Sequence, residues 1–235
     1  MKNTSKHPSH KQQLEELSKL TGGLAHEIKN PLSTIKVNLK LITEDADTSN
    51  PNTARWLRKI AVVQTETERL GQILDDFLRY ISKSEPDFTD LNINDTISDM
   101  VDFFSSQARA NNVTIRMSLS EKPLICKIDR DMIKQVILNL FINAAQAMPD
   151  GGDLIIRTNM AGKNATIEIS DTGTGIESTN LEKIFQAYHT SKPTGTGLGL
   201  STAKKIIEAH DGSINVNFQP GRGTSFIIVL PASDN

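Results

Sequence analysis

The sequence has little of several features that would assign it to a specialised class of protein. Its 235 residues include one cysteine and one tryptophan, and aromatic residues make up only 5% of the chain. A lone cysteine cannot form an internal disulfide, so we interpret Cys126 as a strand residue that happens to be a thiol. No stretch approaches the roughly 20 apolar residues of a membrane span, and no secretory signal is visible. These absences predict a reduced, soluble, cytoplasmic protein.

The chain also lacks an excess of charge of either sign. It has 26 basic and 28 acidic residues, a formal net charge of −2, and no long run of one sign. This balance gives no electrostatic reason to expect nucleic acid as a partner. The length is enough for one well-packed domain and a smaller element.

Two long amphipathic helices are predicted in residues 11–84, after ten residues that we expect to be disordered. The first helix, about 11–46, has apolar residues spaced by threes and fours, which form one stripe; they are Leu14, Leu17, Leu24, Ile28, Leu32, Ile35, Leu39 and Ile42. The second, about 54–83, has an apolar seam close to the coiled-coil repeat; its residues are Ile60, Val63, Leu70, Leu74, Phe77 and Ile81, with Thr67 in register.

Residues 45–53 are rich in turn formers, so we expect a loop there and an antiparallel hairpin. A lone hairpin cannot cover two long stripes. Pairing with a second copy into a four-helix bundle would bury them. The alternative is that the hairpin packs on the rest of its own chain.

His26 lies in the first helix but off its apolar stripe. At roughly 100° per residue it is about 200° from Leu24 and from Ile28, so its side chain is expected to point away from the core. Glu27 adjoins it, Asn30 follows one turn later, and Pro31 should bend or loosen the helix. This arrangement is typical of a displayed nucleophile, although a solvated surface histidine is the alternative.

Beyond a short hinge at Ser82–Asp87 the pattern changes to alternating strands and helices over residues 87–235. Helices are expected near 93–110, 130–148 and 198–210, and strands near 87–91, 113–119, 124–128, 153–159, 165–170, 213–218 and 225–230. The predicted fold class is α+β: an antiparallel two-helix hairpin followed by an α/β sandwich, a sheet with helices on one face.

Three clusters in this second part favour a nucleotide. Asn139 and Asn143 lie one turn apart on an otherwise apolar helix, where Mg²⁺ and phosphate oxygens would satisfy them. A hydrogen bond from helix to loop is the alternative interpretation. Asp171-Thr-Gly173-Thr-Gly175-Ile176 follows a strand, and its carboxylate could accept from an amine such as that of adenine; a tight turn is the alternative.

The third cluster is Gly195-Thr196-Gly197-Leu198-Gly199-Leu200-Ser201, which opens a helix. Backbone amides at such a start attract phosphate. The spacing is neither that of a dinucleotide fingerprint nor that of a P-loop. The stretch 171–197 before it has little periodicity, and a loop of that length is usually functional.

From residue 14 onward the chain resembles a two-component sensor histidine kinase. His26-Glu27-Ile-Lys-Asn30-Pro31-Leu resembles the phosphoacceptor box, and Asn139 to Met148 the asparagine box. Asp171 to Ile176 and Gly195 to Ser201 resemble the two glycine boxes. Ile184 to Lys192 resembles the phenylalanine box, with Ala187-Tyr188-His189 where two aromatics are common. Ala147-Met148 after the second asparagine is similar to the nitrogen-regulation-like branch.

The resemblance implies a dimerisation and phosphotransfer hairpin followed by an ATP-binding domain of the gyrase, Hsp90 and MutL type. His26 would be the phosphoacceptor, Glu27 its general base, and Asn30 would position a water for phosphatase activity. Asn143 would bind Mg²⁺, Asn139 would lie on the phosphate side, and Asp171 would bind the adenine amine. The implied nucleotide-binding residues are Asn139, Asn143, Asp171, Gly173, Gly175, Ile176, Thr190, Lys192, Gly195, Thr196, Gly197, Leu198, Gly199 and Leu200.

The resemblance thus implies a protein-histidine kinase that uses ATP and Mg²⁺, forms a homodimer, and passes its phosphoryl group to an aspartate of a response regulator. No sensor, PAS or HAMP-like segment precedes the hairpin in these 235 residues. We therefore expect the input from a separate sensor protein, the short N-terminus or a fused region. The rival hypotheses are a dimeric scaffold gated by nucleotide without phosphotransfer, and an ATPase that hydrolyses. A histidine exposed on a helix face favours phosphotransfer over both rival hypotheses.

Overall fold

The computed structural model describes residues 10–46, 53–81, 85–176, 183–190, 192, 195–219 and 223–233. The chain forms two compact units, one of Met1–Ser82 with Ala187–Leu198 and one of Lys83–Gln186 with Gly199–Asn235. The predicted disorder before residue 10, the centre of the predicted 45–53 loop and the start of the predicted 82–87 hinge lie outside the described residues. None of the helices in the described ranges is long and apolar enough to cross a membrane.

The first unit contains the predicted helical hairpin. Helix α1 spans His10–Ala46 and helix α2 spans Thr53–Ile81. Lys59 donates from Nζ to the backbone oxygen of Leu41 at 3.1 Å, and further along Arg69 lies beside Glu27. From Lys59 to Arg69 the chain runs forward along α2, while their partners run backward along α1, from Leu41 to Glu27. The two helices are therefore antiparallel.

Helix α1 continues through Pro31 without a break. Proline removes one helical N–H, and the hydroxyls of the next turn bond to carbonyls there. Ser33 Oγ donates to the oxygen of Lys29 at 2.7 Å, and Thr34 Oγ1 to that of Asn30 at 3.3 Å. The predicted local irregularity therefore does not end the helix.

Much of the apolar surface of the hairpin is exposed in the single chain. On α1, Leu32 is 54% and Leu39 is 50% exposed, and on α2 Leu74 and Leu78 are similarly open. The buried residues of α2 include Ile73 and Tyr80, which are not part of the predicted seam. The hairpin thus buries one part of its apolar surface and leaves another part exposed to solvent.

Within the described residues, the second unit is built from two sheets and three helices. Its elements are β1 Thr89–Asn92, α3 Ile93–Ala110, β2 Val113–Ser118, β3 Ile125–Ile128, α4 Arg130–Ala147, β4 Gly152–Ala161, β5 Asn164–Asp171, α5 Gly199–Ala209, β6 Ser213–Gln219 and β7 Gly223–Pro231. The main sheet has the order β2-β4-β5-β7-β6, with β2 and β4 parallel and the other pairs antiparallel. Strands β1 and β3 form a separate antiparallel pair, which the sequence did not distinguish from the main sheet.

The core lies between the main sheet and the three helices. Alternate residues of β5 are buried, and they pack with α3, α4 and α5 in one apolar cluster. Phe104 of α3 and Phe141 of α4 meet at its centre, with ring centroids 5.4 Å apart. The sheet with helices on one face is therefore confirmed. Cys126 lies in β3 as predicted, and burial raises the pKa of its thiol to about 11, so the thiol is protonated and unreactive at neutral pH.

Candidate functional site

The phosphoacceptor motif lies within α1, but the side chain of His26 falls outside the described residues. The neighbouring Glu27 is mostly buried and faces α2, where Arg69 Nη2 lies 3.9 Å from its Oε2. Arg69 also lies 3.9 Å from Glu66 on its own helix. Asn30, one turn along α1, is exposed. The carboxylate beside the histidine therefore lies within ion-pair distance of a cation from the other helix of the hairpin.

Helix α4 carries the two asparagines that the sequence singled out. It begins at the N-cap Asp129, whose carboxylate accepts from the backbone N–H groups of Asp131 and Met132, both at 3.0 Å. Asn139 Nδ2 donates to the backbone oxygen of Gly199 at 3.1 Å. This bond is the one that the helix-to-loop interpretation expects, and it joins α4 to the first residue of α5. Asn143 is partly buried one turn further on.

Asp171 is the last residue of β5 and is buried, with 8% of its surface exposed. Its Oδ1 accepts from the N–H of Gly173 at 2.9 Å and from that of Thr224 at 3.3 Å. A buried carboxylate needs donors of this kind, and each of its oxygens can accept more than one bond. The surrounding backbone thus fixes the orientation of the Asp171 carboxylate.

The turn after Asp171 approaches the C-terminal end of α4. The N–H of Thr174 donates to the oxygen of Ala147 at 3.0 Å, and a side chain on Gly173 would meet that same carbonyl. Gly175 has a φ of 75°, a left-handed conformation that glycine adopts without strain. Ile176 packs against the core of the second unit. The asparagine helix and the first glycine cluster therefore lie together.

These residues suit the groups that the sequence implies. A carboxylate with directed oxygens can accept from the exocyclic amine of a purine. Groups of three or more acidic, histidine or cysteine side chains able to cage a metal are absent from the described ranges. Mg²⁺ usually takes one or two protein oxygens, with phosphates and waters as its other ligands, so the amide oxygen of Asn143 fits it.

Residues 187–198 belong to the first unit. The N–H of Tyr188 donates to the oxygen of Gly197 at 3.1 Å, which closes the segment into a loop. Inside it, the Thr190 hydroxyl accepts from the N–H of Lys192 at 3.1 Å, and the N–H of Gly195 donates to the oxygen of Lys192 at 3.2 Å. Leu198 is fully buried and packs against Tyr80 of α2.

The predicted nucleotide residues are thus divided between the two units. The second unit contains Asn139, Asn143, Asp171, Gly173, Gly175, Ile176, Gly199 and Leu200, and the first contains Thr190, Lys192, Gly195, Thr196, Gly197 and Leu198. The division falls inside the second glycine cluster, between Leu198 and Gly199.

Comparisons with known proteins identify a phosphoacceptor domain followed by an ATPase domain. Residues 16–86 match the family "His Kinase A (phospho-acceptor) domain", and residues 128–234 match "Histidine kinase-, DNA gyrase B-, and HSP90-like ATPase". The chain covers 99% of the solved catalytic domain of histidine kinase ThkA, with 32% identity and a TM-score of 0.58. The chain belongs to the histidine kinase family. ATP with Mg²⁺ is the cofactor of its ATPase domain, and the nitrogen-regulation-like branch stays a prediction.

Longer relatives match nearly all of this histidine kinase chain. Sensor histidine kinase ZraS of Escherichia coli (strain K12) is 32% identical over 223 residues, which are 95% of this chain and 47% of ZraS. Sporulation kinase D of Bacillus subtilis (strain 168) is 35% identical over 94% of this chain and 43% of its own length. The chain therefore spans about half the length of these curated relatives. The crystal structure of ThkA in complex with the response regulator protein TrrA matches 96% of this chain and 64% of that chain, with 27% identity and a TM-score of 0.79.

Sequence reasoning did not identify two residues beside the phosphoacceptor motif. Arg69 holds Glu27 from α2, and nothing in the seam of α2 indicated it, because the pairing depends on the register of the hairpin. Tyr188 lies against Gly23 of α1. The available signal for this contact was Gly23 itself. Glycine is unfavourable inside a helix, so a glycine found there usually makes room for a packed neighbour.

Proposed function

We propose that this chain phosphorylates itself on His26 with Mg·ATP and passes the phosphoryl group to an aspartate of a response regulator. The observation that carries the proposal is the His26-Glu27 pair in a phosphoacceptor-family hairpin, with Arg69 3.9 Å from the Glu27 carboxylate. The match of residues 128–234 to the ATPase family supplies the nucleotide half of the reaction.

The proposed roles in nucleotide binding follow the chemistry of each side chain. Asp171, buried and aimed by two backbone N–H groups, would accept from the adenine amine. Asn143 would give an amide oxygen to Mg²⁺, which neutralises charge on the phosphates when it is bound. Lys192 and the backbone of the second glycine cluster would contact the phosphates. Asn139 would act on the phosphate side by fixing the start of α5 through Gly199.

The proposed chemistry at the hairpin needs a neutral imidazole. Near pH 7 an imidazole has a lone pair available on one ring nitrogen. Glu27 would accept a hydrogen bond from the N–H of the other nitrogen, which fixes the tautomer and makes the attacking nitrogen more nucleophilic, and it would take that proton as the ring is phosphorylated. That nitrogen then forms a bond to the γ-phosphorus as the bond to the β–γ bridging oxygen breaks, and ADP leaves.

We propose two protein partners, a second copy of the chain and a response regulator. The exposed leucines of α1 and α2 form the apolar surface that a four-helix bundle would bury. The complex of the related ThkA with the response regulator protein TrrA supports a regulator as the acceptor. A separate sensor protein as the source of input stays a proposal as well.

Labelling with γ-labelled ATP tests the kinase assignment. The wild-type chain should gain a label that is lost in acid and stable in alkali, as expected of a phosphoramidate, and His26→Gln should gain none. Release of inorganic phosphate without protein labelling would favour the rival ATPase that hydrolyses. Nucleotide binding without either product would favour the rival scaffold. Labelling of His26→Gln to the same level as the wild type would contradict the assignment of His26 as the phosphoacceptor.

We also propose phosphatase activity towards the regulator, with Asn30 as its positioning residue. Asn30 is exposed one turn beyond His26, where its amide can orient a water towards an aspartyl phosphate on a docked partner. Asn30→Ala should keep autophosphorylation largely intact and slow dephosphorylation of the regulator. The competing view is that Asn30 only caps backbone groups freed by Pro31, so that its loss would loosen the helix, and a parallel loss of both activities would favour this view.

A further inference from the structure

Arg69 of α2 lies between two carboxylates that belong to different helices. Its Nη2 lies 3.9 Å from Oε2 of Glu27 on α1, and its Nη1 lies 3.9 Å from Oε2 of Glu66 on its own helix. Residues three apart are neighbours on the surface of a helix. One nitrogen of the guanidinium fork therefore faces the other helix of the hairpin, and the second faces the preceding turn of α2.

Both distances are ion-pair distances and not hydrogen bonds, which between nitrogen and oxygen extend to about 3.2 Å. The cation therefore attracts both carboxylates without occupying their lone pairs. The exposed fractions of the side chains are 19% for Glu27, 20% for Glu66 and 27% for Arg69. Charges in such partly buried positions are screened by salt much less than charges on an open surface.

The Glu66 carboxylate gives a second observation. Its Oε2 is buried and has no hydrogen-bond partner within the described part of the chain. A buried carboxylate oxygen without a donor costs free energy. Glu68, two residues further along α2, is exposed, so this helix can also place a carboxylate in solvent. The buried oxygen of Glu66 instead faces the guanidinium of Arg69.

We propose that Glu66 is a positioning residue for autophosphorylation, and that it acts by holding the Arg69 guanidinium between the two carboxylates. This inference rests on the proposed function, in which Glu27 accepts from the imidazole of His26. Without the charge of Glu66, the guanidinium would close on Glu27 and form direct charge-assisted hydrogen bonds. The lone pairs of Glu27 would then be shared between the guanidinium and the imidazole, which weakens Glu27 as a general base.

Loss of Arg69 acts differently from loss of Glu66. Without Arg69, the Glu27 carboxylate loses the cation that orients it, and no guanidinium remains to close on it. Glu66 therefore influences Glu27 only while Arg69 is present. This dependence separates a positioning role of Glu66 from a general contribution to the stability of the helix.

The test is the initial rate of autophosphorylation of the full chain over a range of Mg·ATP concentrations. Glu66→Gln should lower kcat about twofold to fivefold, the range expected for a partly exposed ion pair. It should leave KM for ATP unchanged, because it alters the general base and none of the proposed nucleotide contacts. Glu68→Gln is the matched control, since it makes the same change of charge at an exposed position of α2, and it should react at the wild-type rate.

Two further variants show whether the charge of Glu66 acts through Arg69. Glu66→Asp keeps the charge and should recover most of the rate, whereas Glu66→Gln added to Arg69→Gln should cause no further loss. A wild-type kcat in Glu66→Gln, an equally slow Glu66→Asp, or a full further loss in the Arg69→Gln background would each overturn the inference and leave the proposed function intact. Absence of labelling in the wild type as well would instead contradict the proposed function, and the inference with it.

Discussion

His210 accepts the backbone N–H of Asp129 on its Nε2 at 3.0 Å, while its Nδ1 lies 2.7 Å from the backbone oxygen of Ile206. Since a carbonyl can only accept, these partners select the neutral tautomer with the proton on Nδ1. The ring is buried, and Phe88 contacts it edge-on. His210 therefore links the end of α5 to the N-cap of α4, the helix that carries Asn139 and Asn143.

Replacing His210 by leucine should lower the free energy of unfolding by about 1–3 kcal/mol, because the buried N–H of Asp129 loses its acceptor. His210→Gln is the matched control, since its amide oxygen can still accept at a similar distance, and it should lose less. Urea denaturation of the two variants measures this difference. An equal loss in both would mean that shape, and not the hydrogen bond, accounts for the effect.

Asp129 should make the stability of the second unit depend on acid. Burial acts to raise the pKa of its carboxyl, but hydrogen bonds from the backbone N–H groups of Met132, Asp87 and Asp131 outweigh it, so the pKa lies below its usual value. A carboxyl whose pKa is depressed by folding contributes its stability above the unfolded pKa, about 3.9, and loses it as the pH falls through the folded pKa.

Asp129→Asn keeps a capping side chain without a titrating carboxyl. The wild type should therefore be the more stable protein at pH 7, and the difference should shrink as the pH falls below about 4. Urea midpoints at several pH values measure this. A difference that stays constant with pH would show that the charge of Asp129 contributes nothing.

Most of the fold follows from local patterns, whereas the side-chain partners at the site do not. The spacing of apolar residues predicts α1 and α2, and the N-cap at Asp129 marks the start of α4 close to its predicted position. Arg69 with Glu27, Tyr188 with Gly23, and His210 with Asp129 join residues far apart in the chain. Such pairs depend on how elements pack, and periodicity carries no information about that. The separate β1–β3 pair escaped prediction for the same reason, because each short strand alone is compatible with either sheet.

Arg69 should support autophosphorylation by holding Glu27. Arg69→Gln removes the cation 3.9 Å from the Glu27 carboxylate and should slow labelling about twofold to fivefold, the range expected for a partly exposed ion pair. Arg58→Gln, on an exposed position of the same helix, is the control and should label at the wild-type rate. Initial rates at saturating ATP measure the effect, and equal rates in all three proteins would contradict a positioning role for Arg69.

Asp171 and Asn143 should contribute to nucleotide binding but not to dimerisation. Asp171→Asn and Asn143→Asp should each weaken Mg·ATP binding about tenfold or more, because one alters the acceptor for adenine and the other changes the charge at the Mg²⁺ oxygen. Both variants should keep the oligomeric state of the wild type, since they lie in a unit with its own core. Calorimetry and sedimentation measure the two properties, and unchanged affinity in both variants would mean that the site lies elsewhere.

The exposed stripe of α1 should be where two chains meet. Leu39 lies on the predicted stripe and is 50% exposed, whereas Val37 lies off it and is 56% exposed. Full burial of a leucine contributes about 1.5–3 kcal/mol, and only the exposed half of Leu39 remains to be buried in each of the two copies, so Leu39→Glu should weaken the dimer at least about tenfold. Val37→Glu introduces the same charge at an equally open position and should leave the dimer intact. Sedimentation equilibrium over a range of concentrations separates the two, and a similar loss in both variants would show that charge on α1, and not burial of its stripe, controls assembly.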